Sequence, residues 1–428
     1  MMDKTLGNIF KGDKVIWMVF FFLCIISIVE VYSASAGLTY KGGHYWAPIV
    51  KHTGILLVGV FAMVVTLNIK CKYFKIVTPF LLVLSIIALI TVLIAGQSTN
   101  GAQRWISIIG IQFQPSEIAK GTMVLATAQI LSAMQTEQGA DKNAFKYILI
   151  VSGCIVPFIM VENLSTAMLL CLVIFLMMMI GRVPGKILGK VLGIVTLLIV
   201  TVFALVMLVG QDREKINVQG QQVVQVSNTA EKEETTMFTK VFHRFDTWKA
   251  RIDRFIDGKE IAPEDFDLDK DGQIGHANIA IVSSNVIGKG PGNSVERDFL
   301  SQAFSDFIYA IIIEEMGIIG GIFVAMLYII LLFRTGQIAN RCENNFPAFL
   351  AMGLALLLVT QALFNMCVAV GLAPVTGQPL PLVSKGGTST IINCVYIGAI
   401  LSVSRSAKKK QVTDEDKDME MSTAMASA

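Results

Sequence analysis

Charge is scarce in this chain: Lys, Arg, Asp and Glu make up 16% of its 428 residues, while 54% are hydrophobic. With a mean hydropathy of +0.64, that balance is too apolar for a soluble domain of this length and points to a polytopic membrane protein. A stripe of one charge sign is also missing. The net charge is only +3 and the basic residues are spread over short loops, which argues against nucleic acid as a partner. The seven cysteines (Cys24, Cys71, Cys154, Cys171, Cys342, Cys367, Cys394) include no CxxC pair, and none lies between residues 211 and 304. Neither disulfides nor a thiolate metal site is expected. No internal repeat relates one half of the chain to the other.

Long apolar runs are abundant. Spans are expected at 15–35, 52–69, 73–96, 115–135, 146–162, 164–180, 187–209, 305–333, 346–370 and 387–404, from runs of roughly 17 to 25 apolar residues. The expected fold is an all-α integral membrane protein of about ten transmembrane helices, with a large extracytoplasmic loop between helices 7 and 8. Lys4, Lys11 and Lys14, Lys70 to Lys75, Lys142, Lys146, Arg182, Lys186, Lys190, Arg334, Arg341 and Lys408 to Lys410 all fall on one side if both termini are cytoplasmic, the arrangement that the positive-inside rule favours. The expected divisions are a cytoplasmic N-terminus at 1–14, helices 1–7 over 15–209, an outer loop at 210–304, helices 8–10 over 305–404, and a charged, disordered cytoplasmic tail at 405–428. "ASA" at 34–36 resembles a signal-peptidase site, but the apolar run before it is longer than a secretory core. It reads as a retained span.

The outer loop holds an amphipathic stretch, "MFTKVFHRFDTWKARIDRFIDG", suited to a membrane surface or a partner. It also holds "DLDKDGQIGHAN", where Asp267, Asp269, Asp271 and Gly272 occupy calcium-loop positions 1, 3, 5 and 6 while position 12 is Asn278 instead of Glu. An acidic Asp-Gly turn is the expected outcome there.

Acids inside apolar segments need a reason, because each costs roughly 2.5 to 3.5 kcal/mol in hydrocarbon. "SDFIYAIIIEEMG" at 305–317 carries three: Asp306, Glu314 and Glu315. Ser305 is a good N-cap, which puts Asp306 at the outer head of its helix, with Glu314 about 12 Å deeper. Pro115 marks the first turn of another helix and sets Glu117 and Lys120 three residues apart on one face. Arg104 sits in a loop beside Trp105. "GKGPGNS" at 288–294 lacks the ending of a phosphate loop and reads as a tight turn before the helix of Asp306. "PVTGQPLPLVSKGG" puts irregular backbone at membrane depth, tolerable only where it lines a cavity or is buried in protein.

Several of these stretches, taken in order, resemble the SEDS proteins, the FtsW/RodA group: "GAQRW" at 101–105, "QPSEIAK" at 114–120, "GKGPGNS" at 288–294, "SDFIYAIIIEEMG" at 305–317, "QALFN" at 361–365 and "GLAPVTGQPLPLVSKGG" at 371–387. The extended outer loop and the tail bring it nearer the FtsW type. The chain departs from the family pattern at Leu300-Ser301-Gln302, Lys385, Asn163, Gln112 and Ser284-Asn285. The resemblance implies a peptidoglycan glycosyltransferase of the bacterial inner membrane, which polymerises lipid II in cell division or in the elongation that sets cell shape. The 4-hydroxyl of one lipid-linked disaccharide attacks the anomeric carbon of another and expels undecaprenyl diphosphate.

That chemistry needs a base, positive charge for the leaving group and a groove for two lipids. The resemblance assigns Asp306 as base; Arg104, Glu117, Lys120, Ser384 and Lys385 to substrate binding; and Glu314, Glu315, Gln361 and Asn365 to structural support. No resident metal or other cofactor is expected, although a divalent cation (Mg or Mn) could bridge the diphosphate. The implied partners are lipid II and the growing glycan strand, a class B penicillin-binding transpeptidase and other proteins of the division or elongation complex. A lipid-linked precursor transporter (flippase) and a non-catalytic division scaffold are the alternatives.

Overall fold

The structure, a computed structural model, describes residues 11–40, 46–99, 102–108, 111–209, 249, 268–300 and 303–426. All of "MFTKVFHRFDTWKARIDRFIDG" except Lys249, and most of the long outer segment, lie outside these residues. In chain order the helices are α1 (Lys14–Tyr40), α2 (Ala47–Asn68), α3 (Cys71–Ala95), α4 (Pro115–Ala133), α5 (Lys142–Glu162), α6 (Leu164–Ile180), α7 (Gly185–Val209), α8 (Leu268–Ser283), α9 (Ile308–Asn340), α10 (Asn345–Ala369) and α11 (Thr388–Ala426). Each expected span falls on one of them. Among the described residues seven helices are long and apolar enough to cross a membrane, and the 17-residue α6 is apolar but shorter.

α10 is the axis of the bundle: 72% of its span is buried, against 22% for α3 and for α5. It packs on α4, α6, α9 and α11. α3 and α5 lie at the rim, and outward-facing Phe61 of α2 and Phe80 and Ile94 of α3 present the apolar surface that lipid requires. α2 and α11 approach closely because Gly59 faces Cys394, and Gly398 lies on the backbone of Met63. Small residues permit such contact where no hydrophobic force drives helices together.

The fold is not wholly helical. Residues expected to form a loop after α3 make a three-stranded antiparallel sheet, β1 (Gln97–Thr99), β2 (Ala102–Ile108) and β3 (Ile111–Phe113). Ser107 pairs with Gln112 in the second hairpin. The sheet packs through β2 on α3, α4 and α5, and β3 leads through Gln114 straight into α4. A small hairpin, β4 (Gln135–Thr136) with β5 (Gly139–Ala140), joins α4 to α5.

Three further expectations change. The calcium-like stretch is helical from Leu268 onward, so its backbone forms neither a ligand loop nor the acidic turn read from the sequence. The tail expected to be disordered continues α11 to Ala426, consistent with the absence of Gly and Pro from "SAKKKQVTDEDKDMEMSTAMASA". Ser305 is not the N-cap of α9; that position is Phe307, which contributes no side-chain acceptor.

α9 is broken in its first third. Gly317 has φ 72° and ψ −178°, a region open essentially to glycine alone. It faces Gly288, whose φ is 85°. A Cβ on Gly317 would meet the Gly288 nitrogen at 2.6 Å. Gly317→Ala should therefore destabilise the protein by at least the ~1–3 kcal/mol of such strain, read as a lower melting temperature of the purified protein. An unchanged melting temperature would show that the segment adjusts cheaply.

Candidate functional site

The segment leading into α9 is held by its backbone carbonyls. The Phe304 oxygen accepts from the Lys385 amide at 3.0 Å, the Ser305 oxygen from Ser384 Oγ at 2.6 Å, and the Asp306 oxygen from Asn365 Nδ2 at 2.9 Å. Three consecutive residues are thus fixed by the 371–387 segment and α10. The half-buried Asp306 carboxylate accepts from Ser305 Oγ at 3.1 Å. The Lys385 ammonium lies 4.8 Å from the centre of the Phe304 ring, a cation–π contact. Burial first, and then Lys51, push the Lys385 pKa below the usual lysine range.

The 371–387 segment is irregular, and its carbonyls are taken up within the protein. Gln361 Nε2 donates to the Pro379 oxygen at 3.0 Å, Asn365 Nδ2 to the Gln378 oxygen at 2.8 Å, Ser27 to the Val383 oxygen at 2.8 Å, and the Tyr328 hydroxyl to the Pro381 oxygen. This is the condition under which non-helical backbone survives at membrane depth. Gln361 and Asn365, four residues apart, share one face of α10.

From Gln361 the network continues to α4. Lys120 Nζ donates to Gln361 Oε1 and to Glu117 Oε1, both at 2.8 Å. Lys120 and Glu117 are buried, so the pair is no surface ornament, and two of the three ammonium hydrogens are committed to Glu117 and Gln361. Glu117 Oε2, Asn365 Oδ1 and Gln378 Oε1 are buried with no hydrogen-bond partner among the described residues. Such atoms cost about 1–3 kcal/mol each when left unmade and call for an explanation. All three lie along one network.

Glu314 and Glu315 belong to a different assembly. Glu314 accepts from Lys289 Nζ at 2.6 Å, Ser294 Oγ at 2.5 Å and the Val295 amide at 3.0 Å. Glu315 accepts from Ser33 Oγ, from the Gly292 amide at 2.9 Å and from the Ser294 amide at 3.2 Å. The "GKGPGNS" turn therefore wraps this acid pair, two turns inside α9. The tight turn expected ahead of this helix thus packs on the acid pair, while the backbone oxygens of Asp306 and its two preceding residues are held by α10 and the 371–387 segment.

Arg104 lies in β2 instead of a loop, and its side chain is outside what the structure describes. The site also includes residues that the sequence reading passed over. Gln378 bridges to Thr166 at 2.6 Å, Ser116 to Glu162 at 3.1 Å, and Ser27 to His52 at 2.8 Å. Glu30 is fully buried in α1, and neither carboxylate oxygen has a partner among the described residues. An acid within an apolar run carries the same signal as Glu314, and that signal would have found it.

A family model described as cell cycle protein, covering FtsW, RodA and SpoVE, matches residues 13–409. The chain belongs to the FtsW/RodA/SpoVE family. Among curated FtsW/RodA/SpoVE relatives, it is similar to a probable peptidoglycan glycosyltransferase FtsW of Geobacter sp. (strain M18), 28% identical over 92% of this chain and 96% of that one. It is also similar to one from Enterococcus hirae, 25% identical over 96% of each. The fold is similar to a chain of a peptidoglycan synthase complex that coordinates polymerization and crosslinking, with TM-score 0.67 and 20% identity over 92% of this chain and 98% of that one. It also resembles the rod shape determining protein RodA of Thermus thermophilus, with TM-score 0.60 and 20% identity over 94% and 99%.

Proposed function

We propose that this FtsW/RodA/SpoVE protein is a peptidoglycan glycosyltransferase that polymerises lipid II and releases undecaprenyl diphosphate. The observation that carries the reading is the hydrogen-bonded chain that runs from Lys120 through Gln361 and the 378–385 segment to Asp306. A base and a cation serving the two ends of one displacement must be held at fixed separation, and a shared buried network does that. In this reading the Asp306 carboxylate takes the proton from the attacking sugar hydroxyl. Lys385, Lys120 and Arg104 supply positive charge as the diphosphate leaves. A partly desolvated ammonium such as Lys385 acts with less dielectric screening than one in water.

Among the described residues no group of three or more His, Cys, Asp or Glu side chains is placed to hold a metal ion. Lysine and arginine supply charge to the diphosphate in this reading, and a divalent cation (Mg or Mn) bridging it would add to theirs. Ten spans of the bacterial cytoplasmic membrane, with both termini cytoplasmic and residues 210–304 outside, complete the proposal, together with a class B penicillin-binding transpeptidase that crosslinks the new strands. The test is purified protein incubated with lipid II, alone and with that partner, and resolved on a gel. Glycan polymer is expected, and its absence under both conditions would overturn the assignment.

The orientation has its own test. In a background cleared of the seven cysteines, cysteines at Ile287 and Leu372 should react with an impermeant thiol reagent from outside the cell. Cysteines at Glu137 and Asn344 should not. All four positions are exposed, so a swap between the pairs would invert the topology.

A further inference from the structure

At the end of the bundle opposite the Asp306 end of α9, a cavity of about 340 Å³ opens between the start of α1, the end of α9 and α11. Its lining includes Asp13, Lys14, Arg334, Arg341, Ser404 and Ala407, three cations against one acid. The acid is already engaged. Asp13 Oδ1 accepts from the Val15 and Ile16 amides at 2.9 and 3.3 Å, while Oδ2 accepts from Arg334 Nε at 3.0 Å and lies 2.8 Å from Nη2. Arg334 Nη1 donates to Gln337 Oε1 at 2.6 Å. Arg334 is thus a preorganised wall, and the lining still carries two more cations than acids. Lys14 and Arg341 are exposed at the mouth. Glu343, two residues beyond Arg341, is exposed and not part of the lining.

The neighbouring surface is apolar. Phe333, next to Arg334, is 68% exposed, and Met18, Phe21 and Phe22 of α1 also face outward. A cationic cavity bordered by lipid-facing side chains fits a molecule with an anionic head and an apolar tail better than it fits a soluble anion. Basic pockets between helices at the membrane boundary recognise lipid phosphates in this way. We propose that this cavity binds the phosphate group of an anionic phospholipid, clamping α1, α9 and α11 together. The inference does not depend on the glycosyltransferase reading, and it rests on the proposed orientation only in assigning the lipid to the cytoplasmic leaflet.

The test is native mass spectrometry of the purified full chain, titrated separately with phosphatidylglycerol, phosphatidylcholine and inorganic phosphate. One tightly held phosphatidylglycerol is expected, with weaker binding of the zwitterionic lipid and no displacement by inorganic phosphate. Lys14→Gln/Arg341→Gln removes two exposed cations and leaves the Asp13–Arg334 pair intact. It should weaken phosphatidylglycerol binding by roughly 25-fold, about fivefold for each cation. Ser404→Trp, which fills the cavity without changing charge, should abolish that site. The double variant alters exposed side chains only, so it decides the matter even if Ser404→Trp fails to fold. Unchanged phosphatidylglycerol binding in the double variant, or equal binding of the two lipids, would overturn the proposal. Displacement of lipid by inorganic phosphate at equal concentration would assign the cavity to a free phosphate and overturn the lipid assignment.

Discussion

Asp306→Asn is expected to yield a folded, membrane-inserted protein that makes no glycan polymer. Asparagine keeps the size of the side chain and its Oδ1 acceptor, so the Ser305 contact at 3.1 Å can persist. The backbone oxygen held by Asn365 is untouched. A capping role would have predicted the loss of about 1 kcal/mol of stability at most, but the N-cap of α9 is Phe307, so even that loss is not expected. An amide cannot accept a proton from the attacking hydroxyl, and general base catalysis contributes roughly 100- to 10,000-fold. The measurement is glycan chain length and initial rate with equal amounts of folded wild-type and variant protein. A variant that polymerises at a comparable rate would remove Asp306 as the base and leave its position at the head of α9 without a catalytic meaning.

Much of the site was legible because membrane segments make polar residues conspicuous. Gln361 and Asn365 stand four apart in an apolar run, and that spacing alone puts them on one helix face; the structure turns both towards the 371–387 segment. Pro115 announced the start of α4, and the Glu117–Lys120 pair follows from the three-residue spacing. The irregular 371–387 backbone was predictable from its prolines and glycines, and its burial from the cost of unpaired carbonyls in lipid.

What was not legible depends on distant residues. Nothing local says that Lys289, Gly292 and Ser294 fold back onto Glu314 and Glu315, 21 to 25 residues away. Nor does anything local say that Ser33, in the first helix, joins them. Structural support was expected of these acids from their depth along the helix, and the partner that lies beside them is the 288–294 turn. In "RWISIIGIQF" the β-branched isoleucines around a glycine were a usable strand signal. They were outweighed by the expectation that a short connection between spans is loop. The acidic spacing at 267–272 imitated a calcium loop, yet "LDKDGQIGHANIAIVS" folds as helix, so packing on α9 outweighs local turn chemistry there.

The Lys120–Glu117 pair separates a catalytic role from a structural one. Lys120→Met should abolish polymer formation, but it also strands Glu117, which is buried and whose second oxygen has no partner among the described residues. Breaking a buried pair from one side costs about 3–5 kcal/mol, so loss of activity in that variant alone decides nothing. Glu117→Gln/Lys120→Met removes both charges and keeps the volumes. Replacing a buried ion pair by neutral groups of similar size is often neutral or stabilising, so the double variant should melt near the wild-type temperature. If Lys120 stabilises the departing diphosphate, that folded double variant should still be slower by roughly 100- to 1,000-fold, the effect of removing one donor to a developing charge. If instead the pair only ties α4 to α10 through Gln361, restoring stability should restore polymerisation. In that outcome the charge on the leaving group would rest with Arg104 and Lys385.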